Sequence, residues 1–175
     1  MPWMKSPNDE VLKQYPNLKE FLPYLDIQNA ESPRGAILVA CSYLDEQLKV
    51  IIEAFLVEDT ETSQLLEGFN APLGMFSSRI AIAHSLGLIS DKERDDCNTL
   101  RKIRNQFAHS HRVSFEDQKI MDLCRNLHHA AKEYGDVKVD AYGAFSSGAV
   151  GLALNLVNRA HYVSGKRLQR TSWDY

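Results

Sequence analysis

Apolar residues recur at helical spacing along nearly the whole chain, and strand-type alternation is essentially absent. The strongest pattern begins at Ser32-Pro33, which predicts an N-cap followed by proline in the first helical turn, and it extends to about Val57. One stripe of this helix is apolar and the opposite face is charged, as expected of a helix that packs on a core. The stripe consists of Ile37, Ala40, Cys41, Leu44, Leu48, Ile51, Ile52 and Phe55. This pattern predicts an all-α bundle.

Caps and breaks divide the remaining sequence into further helices. Ser90-Asp91-Lys92-Glu93 has the form of a capping box, which predicts the start of a helix there. Gly87 follows an apolar pattern at a position that favours a left-handed C-terminal residue. The other predicted helices are a short one around Leu65 and Leu66, one over about 73–86, one from near Ser114 and one over roughly 140–163.

The length of 175 residues is typical of a single domain that buries its own core. We expect five to seven helices in a bundle over residues 32–164. Residues 1–31 are expected to form an approach segment, in which Pro16 and Pro23 interrupt short helical turns. Residues 165–175 are expected to form a solvated basic tail. The small residues of the last helix allow close helix approach, either inside the bundle or across a dimer.

Composition and charge limit the classes of function. A net charge of −3 argues against a protein that coats nucleic acid, so such a contact needs a local basic patch. The N-terminal residues lack the apolar core of a signal peptide, and no apolar run approaches the ~20 residues of a membrane helix. Cys41, Cys97 and Cys124 lie at apolar helical positions and are expected to be buried free thiols. These features predict a cytoplasmic protein without membrane contact.

The segment from Leu100 to His109 has the most specific chemistry, because it places Arg104, Asn105 and His109 at the end of a helix. A guanidinium can bind phosphate through two parallel hydrogen bonds, and an imidazole can transfer a proton near neutral pH. Positions five residues apart lie about 140° apart around a regular helix. Arg104 and His109 therefore converge only if the helix ends near Ala108 or if a second subunit supplies the facing residues, which favours a two-fold homodimer.

These residues suggest metal-independent cleavage of RNA. His109 would exchange a proton with the 2′-hydroxyl or the leaving 5′-oxygen, and Arg104 would stabilise the charge on phosphorus. Asn105 would orient the histidine or bind a phosphate oxygen. The candidate phosphate-binding cations are Arg101, Lys102, Arg112 and, at the start of the preceding helix, Arg79. No cofactor is predicted, and no metal either, because the histidine pairs lack a further ligand at helical spacing.

A structural interpretation competes with this one. Arg104 can pair with a carboxylate across the bundle, and His109 can cap the helix C-terminus, where a cation is favourable. Arg79 can likewise belong to a tight turn at Pro72-Leu73-Gly74 that sets the entry into its helix. In that case none of these side chains contacts a ligand.

Arg104, Asn105 and His109 fit the R-N-x-x-x-H pattern and thereby resemble the HEPN superfamily of helical bundles. This resemblance implies a dimer and, in many members, a metal-independent endoribonuclease with an antitoxin as partner. A longer resemblance, over roughly residues 33–130, is to the bacterial mannitol operon repressor family. It is carried by Pro72-Leu73-Gly74, Ser77, Arg79 and Leu86-Gly87-Leu88-Ile89, with Leu100, Arg104 and His109 following at the expected spacing.

The two resemblances lead to two functional hypotheses. The first is a bacterial regulatory protein that cleaves or binds RNA through Arg104 and His109. The alternative is a non-enzymatic transcriptional regulator of the mannitol repressor type. It would lack a helix-turn-helix and would act through protein partners such as a transcription factor.

Overall fold

A computed structural model describes residues 12–13, 16 and 18–173 of the chain. The helices from Leu18 onward are α1 (Leu18–Ala30), α2 (Pro33–Phe55), α3 (Thr60–Leu66), α4 (Phe76–Ser85), α5 (Asp91–His109), α6 (Gln118–Arg125), α7 (Ala141–Leu156) and α8 (Arg159–Ser164). Among the described residues, the only extended pairing is a single bridge between Tyr134 and Val137. The prediction of an all-α bundle is confirmed.

Helix α2 is the centre of the bundle and packs against α1, α4, α5, α7 and α8. Its predicted apolar stripe is buried along its length, with only Phe55 partly exposed. Ser32 caps the helix by accepting a hydrogen bond from the Gly35 amide at 3.1 Å, and Pro33 occupies its first turn. The predicted start of this helix is confirmed, and it places the core side chains around one long axis.

Helix α5 begins with the predicted capping box. The Ser90 hydroxyl accepts from the Glu93 amide, and the Glu93 carboxylate accepts from the Ser90 amide at 2.7 Å. Gly87 has a φ of 70°, so the predicted left-handed residue after α4 is confirmed. The three cysteines are buried free thiols, as expected, and burial raises the pKa of Cys41 and of Cys124 to about 12.

The prediction for the approach segment is wrong over residues 18–30, where the chain forms one continuous helix through Pro23. Proline removes one backbone donor from a helix, but the packing of Phe21 and Tyr24 on α2 holds α1 together across that position. The rest of the predicted segment, including the N-terminus without a signal-peptide pattern, lies largely outside the described residues.

Three predicted helix boundaries also differ from the structure. Helix α4 begins three residues later than expected, because residues 71–74 form a turn closed by a hydrogen bond from the Gly74 amide to the Ala71 carbonyl. Helix α6 begins at Gln118 rather than near Ser114, because Ser114 and Asp117 bond to each other in a preceding turn. The predicted last helix is divided into α7 and α8 at residues 157–158.

Two glycines of α7 allow the segment after α6 to cross it closely. A Cβ atom added to Gly148 would lie 3.0 Å from Leu127 Cδ1, and one added to Gly151 would lie 3.2 Å from the His129 carbonyl oxygen. Of the two alternatives for the small residues of this helix, the structure therefore shows close approach inside the bundle.

The C-terminal segment is exposed over residues 165–170 except at Arg167, as expected of a solvated tail, but it is also bonded to the bundle. The Leu168 amide donates to the Phe55 carbonyl at 2.7 Å, and Arg167 lies 3.5 Å from Glu58. Arg170 pairs with Asp59 at 2.7 Å. The basic residues of the tail thus bind the acidic segment that follows α2.

Candidate functional site

The C-terminal end of α5 is fixed by Arg34, which lies near the start of α2. Its guanidinium donates to the carbonyls of Phe107, of His111 at 3.1 Å and of Val113 at 3.0 Å, and it lies over the Phe107 ring at 5.0 Å from the centroid. Helix C-terminal carbonyls lack partners within their own helix, and Arg34 supplies them here. The sequence had suggested His109 for this role.

Arg104 and His109 do not come together within the chain. Helix α5 is continuous through His109, so the two positions diverge by about 140° around its axis. Arg104 lies in an open groove of about 220 Å³, which is also lined by Leu38, Cys41, Ser42, Asp45 and Phe76. The His109 side chain is exposed on the outer face of the helix. The helix does end near Ala108, as convergence within one chain requires, but His109 is still its last helical residue.

The polar neighbours of this motif face outward. Asn105 is half-buried, whereas Lys102 and Arg112 are exposed. Arg101 is half-buried, and its Nε atom is buried without a hydrogen-bond partner. The dense positive segment noted in the sequence therefore lies at the surface of the bundle, along the C-terminal half of α5 and the turn that follows.

Arg79 is buried and bonded on all sides by its own chain. Its Nε donates to the Leu73 carbonyl at 2.8 Å, its Nη2 donates to the Leu66 carbonyl at 3.0 Å, and its Nη1 pairs with Asp45 at 2.9 Å. Burial raises the pKa of Asp45 even though the adjacent Arg79 pulls it down. Arg79 thus joins the turn before α4 to α3 and α2, which matches the structural alternative for this residue.

A buried carboxylate, Asp96, lies on the other side of α5 and was not predicted from the sequence. Asp96 accepts hydrogen bonds from the backbone amides of His128 and His129, at 2.8 and 3.0 Å, and from their Nδ1 atoms at 2.9 and 2.7 Å. Burial favours the neutral acid, but these hydrogen bonds outweigh it and hold the pKa of Asp96 below its ordinary value. In the sequence, Asp96 stands on the apolar face of the predicted helix, and a charged residue at such a position is a signal of a buried polar contact.

Two other cavities share no residue with the Arg104–His109 segment, and one of about 280 Å³ is lined by Glu53, Glu58, Asp59 and Arg167. A cavity of about 460 Å³ lies between α6 and α7, where Phe115 and Tyr142 form an apolar wall and Arg125 lies at the edge.

Within residues 12–13, 16 and 18–173, no three His, Cys, Asp or Glu side chains form a group that could hold a metal ion. No helix in this part of the chain is long and apolar enough to cross a membrane. His84 is bonded to Asp91 at 2.9 Å.

Comparison with known proteins gives a matching family and a similar solved structure. The family model described as mannitol repressor matches residues 24–143, which is more than half of the chain. The X-ray structure of the MtlR–HPr complex from Escherichia coli has a similar fold, with a TM-score of 0.59 and 21% sequence identity. The match covers 82% of this chain and 98% of that one. No curated protein matches the chain.

Proposed function

Because this chain belongs to the mannitol repressor family, we propose that it is a non-enzymatic regulator of transcription that acts by binding protein partners. The match over residues 24–143 carries this proposal, and it includes α2, α4, α5 and α6 with the whole Arg104–His109 segment. The structure with the similar fold is that of a complex with the protein HPr, which makes an HPr-type protein the first partner to test.

Two helices that follow a short connection have acidic first turns that are unsuited to reading DNA, which favours action through other proteins. Helices α3 and α5 each follow a short connection, as a recognition helix does, but Glu61 lies in the first turn of α3 and Asp91 and Glu93 in that of α5. A recognition helix contacts bases and phosphates near its N-terminus, where carboxylates are repelled by DNA. An indirect effect on transcription therefore fits these elements better than direct reading of an operator.

The ribonuclease hypothesis needs an arrangement that one chain does not provide. Arg104 lies in a groove and His109 on the outer face, so a shared phosphodiester would require a two-fold partner that brings the opposite residue to each. Such a homodimer remains a prediction. The geometry of the single chain favours the regulator over the enzyme.

The test combines a binding measurement with a cleavage measurement on the same purified protein. Isothermal titration with an HPr-type protein from the same source is expected to show saturable binding. Incubation with structured and single-stranded RNA in excess EDTA is expected to leave the RNA intact. His109→Ala and Arg104→Ala serve as matched variants. Cleavage by the parent that leaves 2′,3′-cyclic phosphate ends and is lost in both variants would show an enzyme instead.

A further inference from the structure

The arginines of the described residues fall into two groups. Most are held within the chain by carboxylates or carbonyl oxygens: Arg34, Arg79, Arg94, Arg125, Arg159, Arg167 and Arg170. Arg101, Arg104 and Arg112 form no ion pair with any residue that the structure describes, and all three lie within twelve positions. The carboxylate that shares a groove with Arg104 is Asp45, and it already pairs with Arg79. In a chain with a net charge of −3, several guanidinium ions without an ion pair in one short segment indicate a site for an external anion.

The Nε atom of Arg101 gives a second, independent indication. It is buried, yet no hydrogen-bond acceptor lies within reach of it among the described residues. Buried polar atoms of folded proteins are hydrogen-bonded in about nine cases of ten, to protein or to ordered water. The Nε atom itself is closed to an outside acceptor, but the two Nη atoms of the same guanidinium are not among the buried atoms and have no partner in the described chain, so they can receive a carboxylate from another molecule.

Helical geometry joins the basic residues of α5 into one surface, which we call the α5 basic surface. Arg101 and Arg104 lie about 60° apart around the axis, and Lys102 and His109 lie within about 20° of each other. Asn105 lies between these two pairs. Together they span an arc of about 160° along the C-terminal half of the helix. Positive and hydrogen-bonding side chains therefore run continuously from the groove to the outer face.

An apolar groove borders this surface at Arg104. Its apolar wall is formed by Phe76 and Leu38, and Leu38 is 54% exposed although it is a large aliphatic residue. Its polar lining is Ser42 and Asp45, and the Asp45 carboxylate is already paired with Arg79 at 2.9 Å. The groove measures about 220 Å³, which is below the range of about 300–1,000 Å³ typical of small-molecule sites. A groove of this size beside a cation suits one side chain of a bound protein better than a separate ligand.

We propose that the α5 basic surface binds an acidic segment of a partner protein, with carboxylates on Arg101, Lys102 and Arg104 and an aliphatic side chain in the groove at Leu38. This assignment rests on the proposed function, because it names the surface and the partner chemistry through which the regulator acts. Arginine forms bidentate hydrogen bonds with carboxylates, and bonds between charged groups are about twice as strong as neutral ones.

The composition of the surface favours protein over single-stranded RNA. Proteins that bind single strands combine basic residues with exposed aromatic rings on which bases stack. On the outward arc of α5, from Arg101 to His109, the only ring is the imidazole of His109, and the exposed apolar residue in the groove is the aliphatic Leu38. A partner with carboxylates and a leucine-like side chain matches these groups more fully.

The probe is a fluorescein-labelled synthetic peptide of alternating glutamate and leucine, compared by anisotropy with a labelled single-stranded RNA of equal length. The test variant is Arg101→Glu with Lys102→Glu. The control variant is Lys132→Glu with Lys138→Glu, which makes the same charge change at exposed lysines of the segment between α6 and α7. Circular dichroism shows whether each variant is folded.

We expect the parent to bind the peptide more tightly than the RNA, and the test variant to lose at least about tenfold in affinity. The control variant should bind like the parent. No peptide binding by the parent, an equal loss in the folded control, or tighter binding of the RNA would overturn the proposal. Titration with the HPr-type protein keeps the two proposals separable. If the HPr-type protein binds, and the charge reversals weaken neither its binding nor the binding of the peptide, only the assigned surface is wrong.

Discussion

Among single residues, Asp96 is the most deeply buried charged side chain in the described part of the chain. It is fully buried and receives four hydrogen bonds from two consecutive histidines, 32 and 33 positions further along the chain. A carboxylate in this position is stabilised as the anion, because each donor interacts more strongly with the charged form. Asp96 therefore holds the segment after α6 against α5.

Asp96→Asn is expected to lower the free energy of unfolding by about 1–3 kcal/mol at about pH 5. The folded pKa of Asp96 lies below its unfolded value of about 3.9, so the carboxylate stabilises the fold above that value and stops doing so as the pH falls through the folded pKa. Urea titrations at about pH 5 and pH 3 should therefore show a smaller difference from the parent at the lower pH. Asp95→Asn, at the exposed neighbour, is the control. A constant difference at both pH values would contradict this account.

What could be predicted about individual residues depended on how far away their partners lie in sequence. Arg104, Asn105 and His109 were identified because they belong to one short segment. Arg34 and Asp96 were not identified as anchors, because the groups they bond lie 73–79 and 32–33 positions away. A spacing pattern carries no information on such contacts, which arise only when the helices pack.

Helices were predicted best where local bonds define their ends. Ser32 and the capping box at Ser90 bond to amides three residues away, so the sequence alone indicated them. The predicted interruption at Pro23 was wrong, because tertiary packing sustains α1 through a residue that locally disfavours a helix. Short-range chemistry thus fixed the starts of α2 and α5, whereas packing decided the extent of α1.

Gly151→Ala tests whether close packing determines the small residues of α7. Helix propensity alone predicts a gain of about 1 kcal/mol for alanine over glycine inside a helix. A Cβ atom at position 151 would approach the His129 carbonyl oxygen to 3.2 Å, so we expect no gain or a loss in the free energy of unfolding by urea. Gly165→Ala is the control, since its Cβ would meet nothing closer than 3.7 Å, and it should gain about 0.4–1 kcal/mol. Equal gains in the free energy of unfolding for both variants would show that a Cβ atom at position 151 fits without displacing its neighbours.

At the scale of the whole molecule, ion pairs between residues far apart in sequence differ in burial, since some lie inside the bundle and others at its surface. Arg159 of α8 pairs with Glu93 at 2.6 Å and donates to the Leu88 carbonyl at 2.8 Å, so it joins the C-terminal part to the start of α5. Arg170 pairs with Asp59 across 111 positions but is exposed. The sequence alone could not rank the two arginines, because the difference lies in the burial of their partners.

This difference predicts unequal effects of the same substitution. Arg159→Met would leave the buried Glu93 carboxylate without its cation, and breaking such a pair costs about 3 kcal/mol or more. Arg170→Met is expected to have little measurable effect on stability, because exposed ion pairs are screened by water and salt. Urea unfolding at low and high salt would measure both, with salt dependence expected only for the contribution of Arg170. Two equal and large losses would mean that the C-terminal segment is as integral to the fold as α8, and that the 165–170 contacts act cooperatively with the core.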